Sequence, residues 1–150
     1  MKITVRDIPE EGLEISEAFD PRGMELELRD RVTYQSPLAV KGAATRMDTK
    51  VHVWGEARAE VRWWCSRCLE EFNRPFRQKF DLYYFEQSLD SVIDTAASIR
   101  EEVLLAYPMQ SFCRDDCKGL CPRCGLNRNR GKCRCMDTRQ NPFGKLKDLL

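Results

Sequence analysis

Eight cysteines, with none left over from natural pairs, dominate the chemistry available to this chain of 150 residues. Two stand in Cys65-Ser66-Arg67-Cys68, and the others form a dense block of Cys113, Cys117, Cys121, Cys124, Cys133 and Cys135. Thiolates separated by two residues grip one tetrahedral ion from a single tight turn. Cys121-Pro122-Arg123-Cys124-Gly125 adds a glycine that lets backbone amides fold towards the sulfurs. The pattern reads as metal coordination, with Zn2+ as the default occupant and an iron–sulfur cluster as the alternative. Disulfides also suit a short secreted chain with this many cysteines. Against them, Met1-Lys2-Ile3-Thr4-Val5-Arg6-Asp7 carries charge from its second residue, and no apolar signal core follows. The expectation is a cytoplasmic protein whose cysteines stay reduced and go to metal.

Eight thiolates suffice for two tetrahedral sites. Cys121 and Cys124 lie close enough in sequence to Cys133 and Cys135 to form a compact ribbon, which favours that quartet as a local site. Cys65 and Cys68 are then joined by Cys113 and Cys117, clamping the cysteine block to the element that carries residue 65. A single-zinc chain, with Cys65 and Cys68 as free thiols, is the alternative.

The formal net charge of +1 conceals an asymmetry. Residues 1–32 are acidic on balance, whereas between Cys117 and Cys135 stand Lys118, Arg123, Arg128, Arg130, Lys132 and Arg134 with no acid among them. A four-thiolate zinc centre has a net charge of about −2, so part of this run balances sulfur charge. Balance alone does not need all of it. Long cations on a small rigid knuckle also contact phosphates, which makes these residues the candidate RNA-binding set.

Enzymatic chemistry finds little support. A catalytic zinc keeps an open coordination position, usually beside histidine or carboxylate, and His52 is the single histidine. His52 falls on the polar parity of a strand and reads as solvated. Neither a phosphate-binding glycine loop nor a pair of catalytic carboxylates is evident. A thioredoxin-like use of Cys65 and Cys68 requires a helix starting after the first thiol, and the sequence offers a hairpin turn instead. The expectation is a protein that is not an enzyme.

The elements that carry the cysteines follow from periodicity. Odd positions from Val51 to Cys65 are apolar or small, and even ones include Glu56, Arg58, Glu60 and Arg62, which predicts a long half-buried strand. Phe72, Phe76, Phe80, Leu82 and Tyr84 continue the pattern, with Pro75 marking an edge or bulge. Cys65 and Cys68 therefore lie at a hairpin turn. Leu38–Thr45 is a further strand, turning at 46–49, and Ile3–Val5 with Met24–Leu28 supply one or two edge strands. The aromatics Trp54, Trp63, Trp64, Phe72, Phe76, Phe80, Tyr83, Tyr84 and Phe85 read as core more readily than as a stacking platform.

Residues 87–94 read as loop, with Asp94 capping a helix whose Ala96, Ile99, Val103, Leu104 and Tyr107 share a stripe, closed by Pro108. The cysteine block is too poor in apolar residues to bury a core and must take its order from metal. After Asn141-Pro142 a short amphipathic helix sets Phe143, Leu146 and Leu149 or Leu150 on one side. The fold class expected is α+β: an antiparallel sheet or small open barrel with a knuckle-bearing hairpin, one helix and a C-terminal zinc-ribbon-like segment. The expected divisions are a β-rich domain at 1–110, a metal-binding segment at 111–136 and a tail at 137–150.

A family resemblance rests on particular motifs. Cys65-Ser66-Arg67-Cys68-Leu69 follows a long strand, Leu104-Leu105-Ala106-Tyr107-Pro108 comes next, and then Cys113-Arg114-Asp115-Asp116-Cys117-Lys118-Gly119-Leu120-Cys121-Pro122-Arg123-Cys124-Gly125-Leu126-Asn127 with Cys133-Arg134-Cys135. Together, over roughly residues 36–150, these resemble the bacterial YceD family of large ribosomal RNA subunit accumulation proteins, which has plastid relatives. Arg128 stands where an aliphatic residue is commoner. The resemblance implies a role in making or keeping large-subunit (23S) ribosomal RNA during ribosome assembly, with no defined catalytic residues. Two binding readings follow. In one the basic ribbon touches rRNA or the pre-ribosomal large subunit directly; in the other the protein is an adaptor for a ribosomal protein or maturation enzyme.

Overall fold

The computed structural model describes residues 1–85 and 88–135. In chain order the elements are β1 (Lys2–Thr4), a short 3-10 turn (Val5–Asp7), β2 (Leu13–Phe19), β3 (Val32–Tyr34), β4 (Leu38–Met47), β5 (Lys50–Trp64), β6 (Glu71–Phe85), β7 (Val92–Asp94) and α1 (Ala96–Leu105). The main sheet runs β2-β4-β5-β3, with β6 on the other side of β5, and every pairing in it is antiparallel. It is an open sheet, so the barrel alternative is set aside. The expected tail helix lies outside the described residues.

β5 is the spine. Its 15 residues pair with β6 from Lys50↔Phe85 to Trp64↔Glu71, while its other edge serves β4 first and β3 further along. Alternation decides which side is buried: Val51, Val53, Ala57, Ala59, Val61 and Trp63 face inward. Pro75 takes its place on β6 without disturbing a second ladder, because β6 is an edge strand. Gly42 and Gly55 sit opposite each other where the sheet coils, and the Phe80 ring lies against Gly55 in the space a side chain would take.

The N-terminal part departs from the expectation. The Ile3–Val5 strand is met in part by β1, but Met24–Leu28 holds turns with Leu26 fully buried, and the main-sheet strands of this region are β2 and β3. Only Ile15 of β2 is buried, so its alternation is too weak to read. Residues 92–94, read as loop, form β7 against β1. The Asp94 carboxylate accepts the Ala96 N–H at 3.0 Å at the start of α1. Ile99 and Val103 of α1 are buried in the core shared with the sheet, each contributing roughly 1.5–3 kcal/mol by leaving water.

Tyr107, just beyond α1, fixes where the cysteine block begins. Its ring meets Trp63 and Phe76 edge-on, with centroids 5.8 and 5.6 Å away. Its hydroxyl donates to the Leu26 carbonyl at 2.9 Å and lies 2.7 Å from the Tyr34 hydroxyl. Burial pushes the Tyr34 phenol up to about 12, and burial with the Tyr34 contact pushes Tyr107 up as well. A raised native pKa means that the folded state keeps protons which the unfolded chain loses near pH ~10, so this stability is complete below that pH and fades as pH rises towards 12. Tyr107→Phe is expected to keep the ring contacts but lower stability by about 1–3 kcal/mol in a urea titration, and to flatten the alkaline loss.

Trp63, Phe76 and Phe80 are core, as expected of them. Trp54, Tyr83 and Phe85 are not: they lie on the solvent side at 36%, 57% and 71% exposure. His52 is less solvated than its parity suggests. It stacks between Trp54 and Tyr83, at centroid distances of 4.6 and 4.4 Å, and its Nε2 lies 2.8 Å from Asp81 Oδ1.

Candidate metal centres

The turn joining β5 to β6 is a sulfur knuckle. The Cys65 N–H donates to the Glu70 carbonyl at 2.9 Å, and the Leu69 N–H donates to the Cys65 carbonyl, also at 2.9 Å. A second turn repeats the pattern, with Cys121 N–H to Leu126 O at 2.8 Å and Gly125 N–H to Cys121 O at 2.9 Å. In each, the residue after the second cysteine is left-handed: Gly125 at φ 71° and Leu69 at φ 60°. That conformation costs a side-chain-bearing residue about 1–2 kcal/mol and glycine nothing, so the first knuckle carries a strain that the second avoids.

Several contacts bring Cys113 and Cys117 to the first knuckle. Ser66 N–H donates to the Ser111 carbonyl at 2.8 Å, and Ser111 Oγ donates to the Trp64 carbonyl at 2.6 Å. Arg74 donates to the Phe112 carbonyl at 3.0 Å. Arg67 lies over the Phe112 ring at 4.2 Å and donates to the Asp115 and Cys117 carbonyls, both at 3.1 Å. The result is one quartet of Cys65, Cys68, Cys113 and Cys117, and a second of Cys121, Cys124, Cys133 and Cys135. The spacing argument favours this same grouping.

Within each quartet the sulfurs all lie within 4.8 Å of one another. A tetrahedral metal with about 2.3 Å bonds to sulfur needs sulfur–sulfur edges of about 3.8 Å. Cys65 to Cys117 and Cys68 to Cys113 both measure 3.8 Å. All eight cysteines are free thiols, far from the roughly 2.05 Å of a disulfide bond. Both quartets could hold a metal ion, and both fit zinc.

Backbone amides prepare the sulfurs. Burial raises the Cys65 pKa, but N–H groups of Cys113, Cys68 and Arg67 outweigh it and hold the thiol at about 6. The amides of Cys124 and Arg123 hold Cys121 at about 6 in the same way. Burial and neighbouring thiols push Cys68 up to about 12, and hydrogen bonding with Cys124 leads the rise of Cys135 to about 12. Each quartet thus sets a poised thiolate beside a thiol that keeps its proton. A cation held there would displace protons and bind more tightly as pH rises.

The two quartets are tied together by residues that cysteine spacing does not reveal. Leu120 N–H donates to the Arg67 carbonyl at 3.1 Å, and Arg128 N–H to the Gly119 carbonyl at 2.9 Å. Asn129 Nδ2 donates to Cys117 Sγ at 3.3 Å, while its Oδ1 accepts the Lys118 N–H at 2.8 Å. Asn127 Oδ1 accepts both the Asn129 N–H and Nδ2. The Asn127-x-Asn129 spacing, typical of side chains that bond nearby backbone, is the sequence signal that could have found them. Lys118, Arg123, Arg128, Arg130, Lys132 and Arg134 are all exposed around the second quartet, and Arg130 forms an ion pair with Glu70 across to the first knuckle.

Residues 86–150 match the family model described as large ribosomal RNA subunit accumulation protein YceD. Over that stretch, less than half of the chain, the sequence is similar to the YceD family. A curated relative, the large ribosomal RNA subunit accumulation protein YCED homolog 1, chloroplastic, of Arabidopsis thaliana, is 37% identical over 62 residues. That alignment covers 39% of this chain and 19% of the relative, so the match spans about a fifth of the relative's length. No solved structure matches the chain. The YceD match begins well after residue 36, where the motifs suggest that the resemblance starts. Cys65 and Cys68 lie upstream of it, so the first quartet joins the YceD stretch to a sheet that the match does not include.

Proposed function

We propose that this protein is a non-enzymatic, zinc-binding cytoplasmic factor that supports accumulation of large-subunit ribosomal RNA, contacting the RNA through its basic cysteine-rich segment. The observation carrying this reading is the pair of four-thiol quartets in and beside a YceD-family stretch. Cys65, Cys68, Cys113 and Cys117 would hold one zinc, and Cys121, Cys124, Cys133 and Cys135 the other. Bound there, zinc supplies structure: four thiolates fill a tetrahedral shell and leave no position for substrate. The chain's own residues then present Lys118, Arg123, Arg128, Arg130, Lys132 and Arg134 outward on a cross-linked ribbon, a suitable surface for phosphates.

Crosslinking in cells, followed by sequencing of the bound RNA, tests this. Enrichment of large-subunit rRNA is expected for the native protein. It should fall at least about tenfold for the combined Lys118→Glu, Arg128→Glu and Arg134→Glu variant with zinc content unchanged, because each lost phosphate contact also forfeits counterion release. Arg130 is left in place because its guanidinium holds Glu70. No enrichment above background from the native protein would discard direct contact in favour of the adaptor reading.

A further inference from the structure

The outer face of the sheet carries a feature that the cysteine chemistry does not use. His52, Trp54 and Tyr83 form a continuous stack, with the His52 and Tyr83 rings 1° from parallel. Phe85 stands in the next row, with the Lys50 ammonium 5.4 Å from its ring centroid. Trp54, Tyr83 and Phe85 all keep a solvent-facing surface. Such rings on a strand face are usually buried by a helix or a second sheet; here α1 packs on the opposite side, with Ile99 and Val103 in the core.

Charge surrounds the rings in a regular grid. Ladder pairing places Lys41 and Lys79 on either side of Glu56, and Arg58 beside Arg77, on the same face as the rings. The two carboxylates between β4 and β6 in these rows are engaged within the face, Glu56 by Arg58 and Asp81 by His52. Glu14 stands further off on β2, and Glu102 of α1 reaches the rim beside Lys79. Among the described residues Lys41, Arg77 and Lys79 form no ion pair. The patch therefore combines solvent-exposed aromatic rings with a net surplus of cations.

We infer that this face is a stacking platform for single-stranded RNA, in which unpaired bases lie on Trp54, Tyr83 and Phe85 while Lys41, Lys50, Arg77 and Lys79 hold the backbone. Stacked aromatics with flanking cations bind single strands with little sequence preference, because every base has a π-face. A duplex hides those faces and offers the rings nothing. The choice of RNA over DNA rests on the ribosomal-RNA reading above; the stacking geometry does not.

The test uses the full chain and a fluorescein-labelled single-stranded RNA of mixed sequence, about 15 nucleotides long, followed by anisotropy across a salt series. Combined Trp54→Ala and Tyr83→Ala is expected to weaken binding at least about tenfold with little change in salt slope, since stacking releases no counterions. Trp54→Phe with Tyr83→Phe keeps the rings and should stay within about threefold of the native affinity. Lys50→Ala with Lys79→Ala should reduce the salt slope by about 1.4, the value for two lost phosphate contacts on a single strand. Native affinity in the double-alanine variant overturns the platform, as does equally tight binding of duplex RNA or no binding of the single strand. Self-association of the native chain that disappears in the double-alanine variant also overturns it, assigning the face to a second copy. Of these outcomes only the absence of single-strand binding also bears on RNA contact by the basic segment; the rRNA-accumulation role fails separately, as unaltered large-subunit rRNA in cells lacking the protein.

Discussion

Stripping the proposed zinc ions under reducing conditions is expected to release residues 111–135 while the β-sheet stays folded. The two parts draw on different sources of stability. The main core is built from sheet, turn and α1 side chains, whereas the cluster at the first quartet consists of Cys65, Cys68 and Cys117 with Phe72, Phe112 and Cys113 packed against it. Within the cysteine block, the buried side chains are Cys117 and Cys121. Cysteines and a few hydrogen bonds cannot offset an ordering cost of roughly 1–2 kcal/mol per residue, whereas structural zinc supplies about 10–16 kcal/mol per site. Amide resonances of 113–135 should lose their dispersion on chelation, while those of β4, β5 and β6 keep theirs. Cys65→Ser and Cys124→Ser should each lower zinc content by one atom per chain and act on different sites. An unchanged count in Cys65→Ser would mean that the hairpin pair is not a ligand and that the chain holds a single zinc.

The largest effect on the sheet should come from Gly42→Ala. A Cβ there would lie 2.1 Å from the Trp54 carbonyl oxygen and 2.8 Å from the Gly55 Cα. Gly55→Ala meets the same obstacle from the other strand, at 2.3 Å from the Lys41 oxygen and 2.8 Å from the Phe80 ring. Backbone cannot swing aside as a long side chain does, so each substitution must pull β4 from β5 at the centre of their ladder. A loss of at least about 3 kcal/mol, the upper end of ordinary overpacking, is expected from the urea midpoint. Gly131→Ala, with nothing within 4 Å of its Cβ, is the matched control and should change the midpoint little. Near-native stability in Gly42→Ala would show that the two strands are not held this close.

Legibility in the sequence followed the strength of the local signal. β5 and β6 could be read because one parity buries valine, alanine and aromatic residues along their length. β2 could not, since Ile15 alone marks its inner side, and β3 and β7 have three residues each, too few for a period to show. Met24–Leu28 alternates like a strand, yet Glu25 turns left-handed at φ 51° and the chain doubles back to bury Leu26. The cysteine grouping was legible because short spacings restrict which thiols can meet. Arg67, Ser111 and Asn129, which hold the quartets in place, act through backbone carbonyls and a sulfur that become neighbours only in the fold. Trp54 could have been placed outside, since the parity that buries Val53 and Ala57 turns it to solvent; its hydrophobicity argued the other way.

Unbroken pairing of β5 with β6 makes the hairpin a ruler. The knuckle sits at one end and the His52–Trp54–Tyr83 stack near the other. About twelve ladder steps of roughly 3.3 Å lie between them, close to 40 Å of strand. No loop can stretch or shorten that interval; strand register sets it. Because side chains alternate with a period of two, inserting two residues into each strand would lengthen the gauge by about 7 Å and leave every ring and cation on its present face.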